Sequence, residues 1–140
     1  MNLLNFNVGD DFISVIKEGV YLDLHNNYEF TTYNYDVVAK EFRMLFVKSA
    51  GEWAENEIYN KLELIFKGVA FLKIQDGDSS EYPNDETCLA DIGFNTFDMR
   101  QDMGSILASN EFKSDYDMIF TFITGQAIKI YANEVLLETY

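Results

Sequence analysis

Met118-Ile119-Phe120-Thr121-Phe122-Ile123-Thr124-Gly125-Gln126-Ala127-Ile128-Lys129-Ile130-Tyr131 is the stretch that decides the fold. Two runs of β-branched and aromatic residues flank a Gly-Gln pair, and such side chains suit the pleated, half-buried surface of a sheet. Glycine accepts the positive φ that a two-residue type II′ turn demands, so residues 118–124 and 127–131 are expected to form an antiparallel hairpin. A third strand is expected over 135–139, after Ala132-Asn133-Glu134.

The same pattern extends towards the start of the chain. Leu62, Leu64 and Phe66 alternate, then Lys67-Gly68 interrupts before a second run to Ile74, which reads as a tight hairpin or a bulged strand. Residues 35–48 read as a long or broken strand in which Val38, Phe42, Met44 and Phe46 share one parity while Arg43, Leu45 and Val47 share the other. Both faces are partly apolar, as expected of a central or twisted strand. Residues 12–16 and 20–24 form two shorter strands around Lys17-Glu18-Gly19, and Asn26-Asn27 offers a tight turn from which Tyr28–Tyr33 returns alongside. Ile92 and Phe94 mark another short strand.

Two segments read differently. Ser49 followed by Glu52 fits a capping box, so 50–59 is expected to be a short helix or an aromatic-anchored loop. From Phe97 to Phe112, Met99, Met103, Ile106 and Leu107 recur at helical intervals, interrupted by Gly104. The polar run Gln75 to Thr87 contains the only proline, Pro83, and reads as a long loop. Crossover helices long enough for a parallel sheet are missing. The expected architecture is therefore mainly β: an antiparallel β-sandwich or curled open barrel with one or two short helices, in a single domain over 1–140.

Charge narrows the partners. Twenty-four Asp and Glu stand against ten Lys and Arg, a formal charge of −14. Such a surface repels phosphate backbones and anionic bilayers and speeds encounter with basic proteins, although the same excess also serves solubility. Nucleic acid and membrane are not expected partners. The start of the chain lacks a basic, then apolar leader, and no apolar run reaches membrane-spanning length, which makes a cytoplasmic setting the expectation.

No phosphate loop, His-Glu-x-x-His helix, paired Cys-x-x-Cys or Gly-x-Ser-x-Gly elbow is present. Cys88 is the only thiol and has no histidine near it in the sequence; His25, the only imidazole, falls at a hairpin corner where it serves the turn. Asp76-Gly77-Asp78-Ser79-Ser80-Glu81 has the alternating oxygens of a calcium loop. However, Glu81 stands where the turn glycine belongs and Thr87 where a bidentate glutamate belongs. Asp98, Arg100 and Asp102, with Asp91 near, offer an acid and base pair or, more simply, an arginine pairing with its neighbours on a surface helix. No metal, no cofactor and no catalytic residue is expected.

Aromatic residues set among carboxylates point elsewhere. Glu52, Glu55, Glu57, Glu29 and Asp36 flank these rings; Tyr21, Tyr28, Tyr33, Tyr35, Tyr59 and Tyr131 would mostly cap a small core, whereas Trp53 with its acidic neighbours is expected to be an exposed anchor for a basic protein.

The run Leu62-Glu63-Leu64-Ile65-Phe66-Lys67-Gly68-Val69 together with the block Asp117 to Glu138 resembles small acidic bacterial β-domain proteins, and some acidic proteins of this general size are immunity partners of bacterial toxins. The resemblance assigns no residue a role; with the acidic charge, the leading expectation is a non-enzymatic protein-binding domain, of which a domain neutralising a basic partner such as a toxin is one form. The alternatives are a small carboxylate-dependent enzyme or carbohydrate-binding protein, and a structural subunit of a homo-oligomer. A monomer or homodimer is expected.

Overall fold

The computed structural model describes residues 1–107 and 111–140. Twelve strands follow in chain order: β1 Asn2–Leu3, β2 Asn7–Val8, β3 Ser14–Lys17, β4 Val20–Asp23, β5 Tyr28–Asp36, β6 Glu41–Lys48, β7 Lys61–Lys67, β8 Phe71–Gln75, β9 Leu89–Asn95, β10 Asp117–Phe122, β11 Ala127–Tyr131 and β12 Glu134–Thr139. They build a five-stranded sheet β1-β12-β7-β6-β5, a four-stranded sheet β8-β11-β10-β9 and a three-stranded sheet β2-β3-β4. All pairings are antiparallel except the short β1 with β12. The mainly β, sandwich-like architecture expected from the alternation is the one observed.

Alternation explains how the core forms. In β6, Phe42, Met44 and Phe46 are buried while Arg43, Leu45 and Val47 face the other side, and β6 is a central strand between β5 and β7. The inward rows meet the four-stranded sheet ring to ring: Phe66 lies edge-on to Phe120 at 6.2 Å and Phe30 contacts Phe122 at 4.8 Å. Val15, Leu22 and Leu24 bring the three-stranded sheet into the same core.

Several connections differ from expectation. The 35–48 strand is broken into a hairpin: the Asp36 carboxylate accepts the Val38 and Ala39 amides, and Lys40 takes a positive φ. Tyr28–Tyr33 does not return beside β4. Asp23 gathers the amides of His25 and Asn26 with its carboxylate, and the chain leaves for the five-stranded sheet, where β5 pairs with β6. Gly68, with φ of 69°, makes neither a hairpin nor a bulge but a corner from one sheet to the other. The β7–β12 ladder continues round that corner into β8–β11 through Asn133 N–H to Lys67 O and Ala70 N–H to Tyr131 O. The 118–131 hairpin closes through a three-residue loop, with Phe122 N–H bonded to Gln126 O and Gly125 at φ 85°, because this arrangement joins a tight turn to a one-residue glycine bulge.

The expected helix over 97–112 is not formed across the described residues; 108–110 lie outside them. Phe97–Met99 makes one 3-10 turn. Asp102 captures the Gly104 and Ser105 amides on its own carboxylate, which competes with helix continuation, and Leu107 then bridges to Phe94. Among the described residues no helix is long and apolar enough to cross a membrane.

Candidate functional site

Three connections converge at one end of the five-stranded sheet: His25–Asn27 between β4 and β5, Ser49–Asn60 between β6 and β7, and the end of the long loop before β9. Backbone bonds tie them together, Ser49 N–H to Asn27 O and Phe30 N–H to Thr87 O, each 2.9 Å.

The 50–59 segment is a loop with one 3-10 turn, Glu52–Ala54, rather than a longer helix. Gly51, not Ser49, stands at its N-cap, and the capping box is not formed. The Ser49 hydroxyl instead lies 3.4 Å from both the Gly51 amide and Glu29 Oε1. Ala54 is buried beneath the turn, which turns Glu52, Trp53 and Glu55 outwards.

Trp53 is 68% exposed yet held on two sides. Its Nε1–H donates to Asn26 O at 2.8 Å, and its six-membered ring lies over Gly51, where a Cβ would fall 2.2 Å from Cη2. Glu57 is not part of the outward set. Its carboxylate accepts Asn27 Nδ2 at 2.5 Å and Tyr28 Oη at 3.3 Å, which fastens the loop to the β4–β5 turn.

Beside the indole lies a concavity of about 320 Å³ lined by His25, Asn26, Tyr28, Glu29, Ser49, Trp53, Asn84, Asp85, Thr87 and Cys88. On the other side of Gly51, a second hollow is lined by Lys48, Ser49, Ala50, Gly51, Glu52 and Glu55. The four residues expected from sequence therefore divide. Trp53, Glu52 and Glu55 lie on this surface, Glu57 braces it from within, and Glu29, Asp85 and His25 join from distant segments. No spacing in the sequence connects residues 25, 29, 53 and 85.

The fold also places His25 against Cys88, correcting the view that this thiol has no histidine near it: Sγ lies 3.7 Å from Nδ1. The pair is poorly arranged as nucleophile and base. Nδ1 is 2.5 Å from Leu89 O, an atom that only accepts, so Nδ1 is the donor there and has no lone pair to take the thiol proton. Burial, followed by the negative charges of Asp85, Asp23 and Glu29, pushes the thiol pKa up, away from thiolate.

The Asp98–Arg100–Asp102 group disperses. Arg100 reaches across to the fully buried Asp117, with Nε–Oδ2 of 2.8 Å and Nη2–Oδ1 of 2.9 Å, rather than to its neighbours. Its guanidinium lies 4.1 Å from the Phe71 ring centre and 4.5 Å from that of Phe97. Asp98 is lowered by the Thr96 hydroxyl, and Asp102 is held down at about 2 by the Ser105 hydroxyl and the Gly104 and Ser105 amides. Lys129, fully buried, donates to Met99 O and Asp102 O, and burial lowers its pKa. These groups anchor the 96–105 loop on the four-stranded sheet. In the acidic loop, Asp78 spends its carboxylate on the Ser80 amide and hydroxyl. Among the described residues no group of three or more His, Cys, Asp or Glu is placed to hold a metal.

The tyrosines divide as well. Tyr28 is buried, and Tyr35, Tyr59 and Tyr131 pack against the core, whereas Tyr21 and Tyr33 are exposed. Comparison with known proteins gives no match: no family pattern fits the chain, and no curated protein or solved structure is significantly similar to it.

Proposed function

We propose that this chain is a non-enzymatic protein-binding domain that receives a basic partner on the face carrying Trp53. The observation that carries the reading is the pinned indole, a large apolar ring displayed to solvent in one orientation. Burying such a ring costs little conformational entropy, and tryptophan is among the residues that dominate interface energetics. Glu52, Glu55, Glu29 and Asp85 around it, within a field of net charge −14, favour rapid encounter with a cationic surface. Neutralising a basic toxin would use such a face.

The test is affinity capture at low and moderate salt with three baits: the native chain, Trp53→Ala and, as a remote control, Glu18→Gln. The expected result is a basic protein retained by the native and control baits and lost from the Trp53 variant. Equal retention by all three, or a retained partner without basic character, overturns the reading.

A second reading has its own observation. β5 closes the five-stranded sheet, its residues Thr31–Asn34 are exposed, and Val38 at the following turn is 96% exposed. An edge of this kind can pair with a second copy. Sedimentation showing a concentration-dependent dimer that Val38→Lys abolishes would favour that reading.

A further inference from the structure

The concavity beside Trp53 has the walls of a receptor for one particular side chain. We infer that it takes a single arginine of the basic partner, with the guanidinium against the indole and forked onto Glu29 and Asp85. This inference rests on the protein-binding reading and specifies its partner.

Size is the first argument. About 320 Å³ lies at the bottom of the range of small-ligand sites, roughly 300–1,000 Å³, and so suits one long side chain better than a cofactor. Charge is the second. Among the described residues the lining holds two carboxylates and no lysine or arginine, so none of their side-chain ammonium or guanidinium groups already occupies it. Asp85 and Glu29 both act on the Cys88 thiol in the same wall, so their negative potential reaches into the concavity rather than only out to solvent.

The chemistry of the lining selects arginine over lysine. A planar guanidinium is weakly hydrated, stacks on an aromatic face and offers paired donors to a carboxylate, whereas an ammonium is a compact, strongly hydrated point charge. The chain uses the same combination internally: Arg100 packs on Phe71 and Phe97 and donates two bonds to Asp117. The cleft presents the aromatic and acidic half of that arrangement without the arginine.

Trp53 is the only tryptophan, so its fluorescence reports on this site alone. The probe is a capped arginine hexapeptide, titrated at low salt beside hexalysine and hexacitrulline. Saturable change in Trp53 emission is expected with arginine, at least about fivefold tighter than with lysine, and none with citrulline. The double variant Glu29→Gln/Asp85→Asn should weaken arginine binding about tenfold or more. Asp76→Asn/Glu81→Gln, which removes the same charge from the long loop outside the lining, should cost less than about threefold. Equal losses in the two double variants, or hexalysine binding as tightly as hexa-arginine, would overturn the arginine site while leaving a basic partner in place. No binding of either cationic peptide would overturn both readings.

Discussion

Arg100 and Asp117, 17 residues apart, form a two-pronged ion pair in which the carboxylate is fully buried and the guanidinium is sandwiched between Phe71 and Phe97. Each group satisfies the other, so losing either leaves an uncompensated charge or an unfilled site. Asp117→Ala should destabilise the fold by about 3–5 kcal/mol in urea denaturation. Arg100→Lys keeps the charge but loses the fork and the ring contacts, so it should also be clearly destabilising, by about 1–3 kcal/mol. Native stability in Arg100→Lys would show that charge alone matters here.

Stability should fall at both extremes of pH for identifiable reasons. The Tyr21 phenol is pushed up to about 12, first by its hydrogen bond to Asp11, and Tyr28 is raised by burial and then by the Glu57 charge. Both are held protonated in the folded chain, so their contribution is complete below about pH 10, where unfolded tyrosines ionise, and is lost as pH rises through each folded value, which for Tyr21 is about 12. Asp102, at about 2, has the opposite sign: its contribution is present above about pH 4 and is lost as pH falls through about 2. Urea midpoints against pH should show a shallower alkaline limb in Tyr28→Phe and a shallower acid limb in Asp102→Asn. Unchanged limbs in both variants would show that other groups control the titration.

The sheet corner at Gly68 gives a test of the fold. Its positive φ strains any L side chain, and an added Cβ would fall 2.3 Å from Asn133 Nδ2. Gly68→Ala should cost about 1–3 kcal/mol. The double variant with Asn133→Ala should recover the steric part but not the backbone part, leaving about 1 kcal/mol of loss. Full recovery would mean that the corner conformation itself is unstrained.

Much of the fold was legible because strand periodicity maps directly onto the faces of a sheet. The opposed parities of Phe42 and Arg43 read β6 as a central strand before any pairing was known, and Met118 to Tyr131 read as a hairpin. What was lost depends on side chains that bond to their own backbone. Asp36, Asp23 and Asp102 each redirect the chain with one carboxylate, and hydrophobic spacing carries no trace of this. The Phe97–Phe112 pattern reads as a helix for that reason, although Met103 is buried from an irregular loop. Trp53 stood out locally by its acidic neighbours. Glu29 stood out only as a carboxylate beside a tyrosine and Asp85 only as part of an acidic loop; their place beside Trp53 was not legible, since only the topology brings the three connections to one end of the sheet.

The orientation of Trp53 can be varied separately from its presence. Gly51 has φ −69° and ψ 150°, a backbone that alanine adopts freely, so Gly51→Ala acts only by placing a methyl group where the indole now lies. The ring must leave that position, while every carboxylate on the surface stays. Because Trp53 is largely exposed, Gly51→Ala and Trp53→Ala should each change unfolding free energy by less than about 1 kcal/mol, far from the about 3–5 kcal/mol of a buried aromatic truncation. Fluorescence anisotropy of Trp53 should fall in Gly51→Ala as the ring gains freedom. Affinity for the basic partner should drop by about 1 kcal/mol or more in Gly51→Ala and by about 2 kcal/mol or more in Trp53→Ala, mainly through faster dissociation. Raising salt should slow association equally in both variants and in the native chain, since the charges are untouched. A Gly51→Ala protein with a mobile indole and native affinity would show that pinning is irrelevant to binding, and a large stability loss in Trp53→Ala would show the ring to be part of the scaffold.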